Sequence, residues 1–447
     1  MKNKNILVIT PFFAPETHAA VFRAHKLVKY LKKEGWNPIV LTVDTNYIYN
    51  ENPELLKELK DIEIVRTRYI EPSVRGLKMW LTGKDLTYKT LKQKGFYNVD
   101  TFSKSTEKSI VKKEGFLTKI YNYLLDNYLN SPDRFWTWKY SAIKEAKRLI
   151  KKYDINLVYT SSSPYTTLEI GFCIKSDFPN IKWVADYRDP LTYTLRNHSA
   201  ISSVFKKQKK IEIKALDIAD AITGLSSSYK LIYHDLYNGK YDYKMFFVPT
   251  GLDDELIPLK DDIDQSNEII YVGEYLPNYG TTFFDYYGVF QSKYPQLADK
   301  ISFTMIGSKD INIKALKKLN INEDLFSRIN FVDHIPQVEL YKKIQRAKAV
   351  LLSPGYNSHW WTNFAKMVDY IALEKQVLAI IPNPSEARTE LIKSGLGLFM
   401  DSEERAVHFF KELATHNIHL NNVNQQYCKK YLASSQVQSF IEIFEKL

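Results

Sequence analysis

The stretch Ile6-Leu7-Val8-Ile9-Thr10 leads through Pro11-Phe12-Phe13-Ala14-Pro15-Glu16-Thr17-His18-Ala19 into Ala20–Lys33, and then into Pro38-Ile39-Val40-Leu41-Thr42-Val43. A short uninterrupted apolar run reads as a strand buried on both faces, and apolar positions spaced by three and four read as a helix covering it. Gly35 fits the C′ position that ends such a helix. Two buried strands joined by a helix make a parallel pair with a right-handed crossover. The same alternation returns at Leu157–Thr160, Trp183–Asp186, Ala221–Gly224 and Met245–Val248.

A second series of strands begins after Glu268: Ile269–Val272, Ile301–Ile306, Ile329–Val332, Ala349–Leu352 and Val377–Ile381. Helical segments are expected over 281–295, 336–346, 362–374 and 385–394. The polar, acidic stretch Asp253–Asn267 reads as the linker between the two series. The expected fold class is α/β, with two doubly wound Rossmann-like domains facing across a cleft. They are placed at 1–255 and 256–425, with a C-terminal helix over 426–447 free to pack back on the first domain. Ligands of such sheets bind at the carboxyl ends of the strands.

Totals agree with this plan. A chain of 447 residues exceeds the ~100–200 residues of one domain, and 45% hydrophobic residues can fill two cores. Cys173 and Cys428 lie far apart with no C-x-x-C spacing, which fits a reducing compartment and offers no metal site. The start, Met1-Lys2-Asn3-Lys4-Asn5 before Ile6–Thr10, is too short for a signal-peptide core. No apolar run reaches the ~18–20 residues of a membrane span. The expected location is the cytosol, with peripheral contact at the inner face of the plasma membrane left open.

A formal charge of +11 points to acidic partners, although a bias towards lysine accounts for much of it. From about Arg75 to Asn130 the chain is rich in lysine and aromatics, as in Lys78-Met79-Trp80-Leu81 and Phe116-Leu117-Thr118-Lys119-Ile120-Tyr121. The segment is long for a βα connection. It reads equally as an insertion touching an anionic membrane or a lipid-linked acceptor, and as a helical elaboration with solvated lysines.

Common chemical motifs are absent. There is no G-x-G-x-x-G after the first strand, no G-x-x-x-x-G-K-[ST], no H-E-x-x-H and no G-x-S-x-G. No nucleic-acid motif accompanies the basic charge, so no nucleic-acid partner is expected. Asp262-Ile263-Asp264 has a D-x-D form, but it falls in the acidic linker and reads as solvated charge.

Three segments do carry chemistry. The loop Pro11–Ala20, followed by Arg23, puts small residues at a helix entry, where backbone N–H groups favour anions. Trp183-Val184-Ala185-Asp186-Tyr187-Arg188-Asp189-Pro190 places Asp186, Arg188 and Asp189 at a strand's carboxyl end. A local ion pair with a helix cap is the plainer explanation there. In Trp360-Trp361-Thr362-Asn363-Phe364-Ala365-Lys366-Met367-Val368-Asp369-Tyr370-Ile371-Ala372, Thr362 reads as an N-cap. Thr362, Lys366 and Asp369 then share one face. Together they offer N–H dipoles and a cation for phosphates and a carboxylate for ribose hydroxyls. A surface Lys–Asp pair is the competing reading.

Taken in order, these segments resemble glycosyltransferase family 4, the retaining, metal-independent enzymes of GT-B fold, over nearly the whole chain. Tyr159-Thr160-Ser161-Ser162-Ser163-Pro164 and Trp183–Pro190 are similar to a subgroup with an S-S-P-P turn and a D-F-R-D-P-W motif. Val248-Pro249-Thr250-Gly251-Leu252-Asp253 resembles I-P-N-G-x-D, and Tyr271-Val272-Gly273-Glu274 resembles the V-G-R/T turn. Lys366-Met367-Val368-Asp369-Tyr370-Ile371-Ala372 resembles K-L-x-E-Y-L-A. Three positions depart from the pattern: Trp361 replaces the first family glutamate, Glu274 a phosphate-binding arginine, and Tyr279 the lysine that follows.

The resemblance implies a glycosyltransferase that moves a sugar from a nucleotide-sugar donor to a saccharide or lipid-linked acceptor. It places the enzyme in bacterial surface polysaccharide synthesis, with retention and with no metal or other cofactor. Arg23, Gly273, Glu274, Thr362, Lys366 and Asp369 are the implied donor contacts. Asp186, Arg188, Asp189 and Lys366 are the implied catalytic group. The alternative is a catalytically silent GT-B homologue serving as a binding or scaffold subunit.

Overall fold

The computed structural model describes residues 3–17, 19–48, 50–85, 87, 90, 130–194, 202–258, 266–415 and 423–447. They divide into two compact units, Met1–Val248 with Ser439–Leu447, and Pro249–Gln438.

The first unit is built on β1 (Asn5–Ile9), β2 (Asn37–Val43), β3 (Glu63–Thr67), β4 (Leu157–Ser162), β5 (Lys182–Tyr187), β6 (Ala221–Gly224) and β7 (Met245–Phe247). Their order is β3-β2-β1-β4-β5-β6-β7, and all neighbours are parallel. Ile6, Leu7, Val8 and Ile9 are fully buried, as a central parallel strand covered on both faces requires. Helix Val21–Lys33 buries Val21, Ala24, Leu27, Val28 and Leu31, and its last turn carries Lys32 and Lys33, which suit the negative end of the helix dipole. The sheet runs outward from β1 to β3 and then resumes at β4 on the other side of β1. The strand order therefore reverses between β1 and β4, which are paired from Ile6 and Leu157 to Ile9 and Thr160. The last residues of the chain close this unit, with Phe440 edge-on to Tyr159 at 5.6 Å and Phe444 edge-on to Trp36 at 5.6 Å.

The second unit repeats the plan with β8 (Glu268–Val272), β9 (Ser302–Ile306), β10 (Ile329–Val332), β11 (Ala349–Leu352), β12 (Val377–Ala379) and β13 (Gly397–Phe399). The order is β10-β9-β8-β11-β12-β13, again all parallel. Alternate residues of β8 feed two cores. Ile269 and Tyr271 join Phe283, Phe284 and Tyr287, whereas Ile270 joins Met367, Val368 and Ile371. Helices therefore cover both faces, and the order reverses between β8 and β11.

Several expectations need correction. Strands β3 and β13 were not anticipated. The first reads Glu63-Ile64-Val65-Arg66-Thr67 on a half-exposed edge, and the second is only three residues long. The helix expected over 362–374 runs from Ala365 to Ala372, so Thr362 is not its cap. Thr362 instead closes a turn, its N–H donating to His359 O at 3.2 Å. Phe364 holds the N-cap position in an extended conformation because its ring packs on the core, and it supplies no side-chain cap.

The stretch expected as a plain linker begins as an anchored turn. Asp253 accepts from the Glu255 N–H at 3.1 Å, and Asp254 accepts from the Ser434 N–H at 3.0 Å. Asp262-Ile263-Asp264 lies outside the described residues, as does most of the expected 75–130 insertion, Phe116–Tyr121 included. At its start is helix Val74–Thr82, capped by Ser73. No helix among the described residues is long and apolar enough to cross a membrane.

Candidate functional site

Each sheet has its own switch point, and the residues of interest lie at the carboxyl ends of the strands around it. In the second unit β8 discharges into Gly273, and β11 into the loop that ends at helix Ala365–Ala372. Gly273 has φ +103°, a region that glycine enters without strain. A Cβ there would come within 3.2 Å of Lys366 Nζ, so the bare Cα leaves room for the ammonium. Asn312, fully buried, locks the turn by donating to Gly273 O at 3.1 Å and accepting from the Tyr275 N–H at 2.7 Å.

Lys366 donates to Tyr271 Oη at 3.1 Å and stands 4.2 Å from that ring's centroid. No carboxylate forms an ion pair with it among the described residues. Burial alone pushes its pKa down to about 8. The site therefore holds a largely desolvated cation whose partners are a phenol and a π face.

The other donor-side residues are distributed around it. Glu274 is exposed, and its backbone carbonyl accepts from Tyr271 Oη at 3.0 Å. Tyr279 packs edge-on against Tyr275 at 5.5 Å, adding to an aromatic wall where the family pattern has a cation. Asp369 stands beside the buried Tyr341, whose hydroxyl pKa is raised first by burial and then by that carboxylate. Trp361 is nearly buried and stacks on His359 at 4.3 Å.

In the first unit the expected site residues separate into two groups. Arg23 and Asp186 form a buried pair, with Nε to Oδ2 at 2.8 Å and Nη2 to Oδ1 at 2.7 Å. Their side chains are 3% and 0% exposed. Thr223 also donates to Asp186 Oδ1 at 2.6 Å, and Phe440 lies 5.1 Å from the guanidinium. The two charged groups pair inside the core, although Arg23 Nη1 has no hydrogen-bond partner among the described residues; the sequence had placed Arg23 at a diphosphate and Asp186 at an acceptor.

Arg188 and Asp189 lie at the open end of β5. Asp189 is exposed. Arg188 donates through Nη2 to Ser163 O, in the turn that follows β4, and lies 5.5 Å from the Phe12 ring in the loop that follows β1. Its Nε is buried without a hydrogen-bond partner among the described residues. Arg134, which sequence reasoning missed, lies 5.9 Å from the same Phe12 ring and 4.8 Å from Phe135. Nothing in Ser131-Pro132-Asp133-Arg134-Phe135 signals a site, because Phe12 is distant in sequence.

No protein-family model matches the chain, and no curated protein matches it in sequence. Solved structures do match its fold. Anabaena HepE in complex with UDP aligns with a TM-score of 0.61 at 10% identity, covering 99% of this chain and 100% of the other. Sucrose-phosphate synthase of Thermosynechococcus elongatus aligns at 0.58 and 14% identity, covering 99% and 98%. An E. coli trehalose-6-phosphate protein bound with UDP-2-fluoro glucose aligns at 0.58 and 14%, covering 99% of each chain. With two parallel, doubly wound sheets, the chain has the GT-B fold.

Proposed function

We propose that the protein is a glycosyltransferase that takes a sugar from a nucleotide-sugar donor, with the donor bound on the second unit and the acceptor on the first. The observation that carries this reading is Lys366, a largely desolvated ammonium with no carboxylate partner among the described residues, set against a glycine turn at a switch point. A diphosphate supplies the missing charge. Helix Ala365–Ala372 adds its N-terminal dipole, left without a side-chain cap by Phe364. Asp369 is the candidate ribose contact. Because HepE is described with UDP and the E. coli protein with UDP-2-fluoro glucose, a uridine nucleotide is the first donor to try.

In the proposed reaction the bond between the sugar C1 and the diphosphate oxygen breaks, and a bond from the acceptor oxygen to C1 forms on the same face. The acceptor proton passes to the leaving phosphate oxygen. Negative charge grows on the diphosphate as the bond breaks, and Lys366 and the helix dipole stabilise it there, each such contact being worth about 3–4 kcal/mol. Asp189, exposed beside Arg188, orients the acceptor hydroxyl. A saccharide or lipid-linked acceptor in bacterial surface polysaccharide synthesis, reached without metal, fits this arrangement. Peripheral membrane contact draws support from helix Val74–Thr82, where Leu77, Trp80 and Leu81 are each at least half exposed.

The test is nucleoside-diphosphate release from UDP-, GDP-, ADP- and CMP-sugars with a panel of saccharide acceptors. Transfer by the wild type and its loss in Lys366→Ala, with the fold intact, are expected. Undiminished turnover in Lys366→Ala would remove the donor site from this position. No transfer or hydrolysis with any donor would favour a silent binding subunit.

A further inference from the structure

We propose that the acceptor carries a phosphate group and that Arg188, seconded by Arg134, binds it beside Phe12. This rests on the reading that the first unit takes the acceptor.

Arg188 differs from its neighbour Arg23 in one decisive way. Arg23 has a carboxylate filling its fork. Arg188 is largely withdrawn from water, yet among the described residues its one side-chain hydrogen bond goes to a backbone carbonyl, Ser163 O. Its Nε faces no acceptor, and no carboxylate pairs with it among the described residues. A guanidinium held this way lacks the anion that its desolvation calls for.

Arg134 supplies a second guanidinium at the same ring and forms no ion pair among the described residues. It is exposed and so able to turn towards a ligand. Three carboxylates stand nearby, of which Asp186 is already held by Arg23. Asp189 is exposed, and Glu16 is held towards its neutral form by burial, against the pull of Arg134. Neither reaches a guanidinium fork.

The position agrees with the charge. Phe12 follows β1, Ser163 follows β4 and Arg188 follows β5, so the cluster lies at the carboxyl ends of the strands around the switch point. A guanidinium fork matches the oxygens of a phosphate, and an aromatic face suits the apolar side of a sugar ring or a short lipid segment. Free sugar phosphates and sugars on a lipid phosphate share this chemistry.

Binding is measured with three probes: glucose, glucose 6-phosphate, and a short prenyl diphosphate in detergent. At least one phosphate-bearing probe is expected to bind while glucose does not, and the two phosphate arms tell the two sources apart. Arg188→Gln should weaken that binding at least tenfold. Arg134→Gln, at an exposed position where folding is not in question, should weaken it several-fold. UDP is titrated in parallel into wild type and Lys366→Met, and the phosphate probes are also run on Lys366→Met. If glucose binds as well as the phosphate probes, or if Arg134→Gln and Arg188→Gln both leave binding unchanged, the inference is wrong. That result leaves the donor reading standing provided UDP binding still depends on Lys366.

Discussion

Both units carry a cation near the switch point, Arg23 on the helix that follows β1 and Lys366 on the helix that follows β11, and they treat it in opposite ways. In the first unit Arg23 faces Asp186, and the two charges cancel inside the core. In the second unit Lys366 rests on Tyr271 with no ion-pair partner among the described residues, and its pKa falls to about 8. Both residues were singled out by spacing and resemblance, and spacing could not tell them apart. Pairing does: a buried charge with its partner in place is scaffold, and one without a partner is poised for a ligand. Arg188 belongs with Lys366 by this criterion, although it lies two residues from the Asp186 of the scaffold pair.

Breaking the scaffold pair should give the largest effect on stability. Arg23→Met strands a buried carboxylate, so the first unit should lose about 3–5 kcal/mol in denaturant unfolding. The double variant with Asp186→Leu should recover most of that loss. If Arg23→Met were as stable as wild type and lost only nucleotide affinity, the contrast between the two units would fail.

The second unit should respond in the opposite direction. A lysine pKa lowered from 10.5 to about 8 means that the folded state binds fewer protons than the unfolded state across that window. Stability therefore rises with pH between those values. At pH 7 the charged ammonium costs on the order of 3 kcal/mol. Lys366→Met is expected to raise the unfolding free energy at pH 7 by about 1–3 kcal/mol while weakening nucleotide binding. A variant that lost stability would show that Lys366 has a partner after all.

Gly273→Ala should give a smaller change. The backbone strain at φ +103° is about 1–2 kcal/mol, and the new methyl crowds Lys366. UDP affinity should fall about tenfold, as read by calorimetry, with the first unit's unfolding unchanged.

Much of the fold was legible because parallel strands covered on both faces leave continuous apolar runs. Ala221–Gly224, Ile329–Val332 and Ala349–Leu352 have the expected bounds. Strand β3 was missed because an edge strand tolerates Glu63 and Arg66, and β13 because Gly397-Leu398-Phe399 is too short for a periodicity to show. Helix Ala365–Ala372 begins three residues later than expected because Phe364 is drawn into the core, a packing effect that capping propensity does not register.

The candidate sites were less legible. Gly273 and Lys366 were each identified, but the Tyr271 ring under the ammonium and the Asn312 clamp depend on how the strands assemble. The Arg23–Asp186 pair joins residues 163 positions apart. Arg134 came forward only when folding brought it to Phe12.

The central claim is that the Lys366 ammonium holds a donor diphosphate, and UDP affinity measured from pH 7 to pH 9.5 tests it most directly. Wild-type affinity should hold near pH 7 and fall as the pH rises through about 8, where the free protein loses the proton on Lys366. The decline should approach tenfold per pH unit, and Lys366→Arg should bind UDP with a flat profile over the same range. A wild-type affinity independent of pH, or the same decline in Lys366→Arg, would contradict the account.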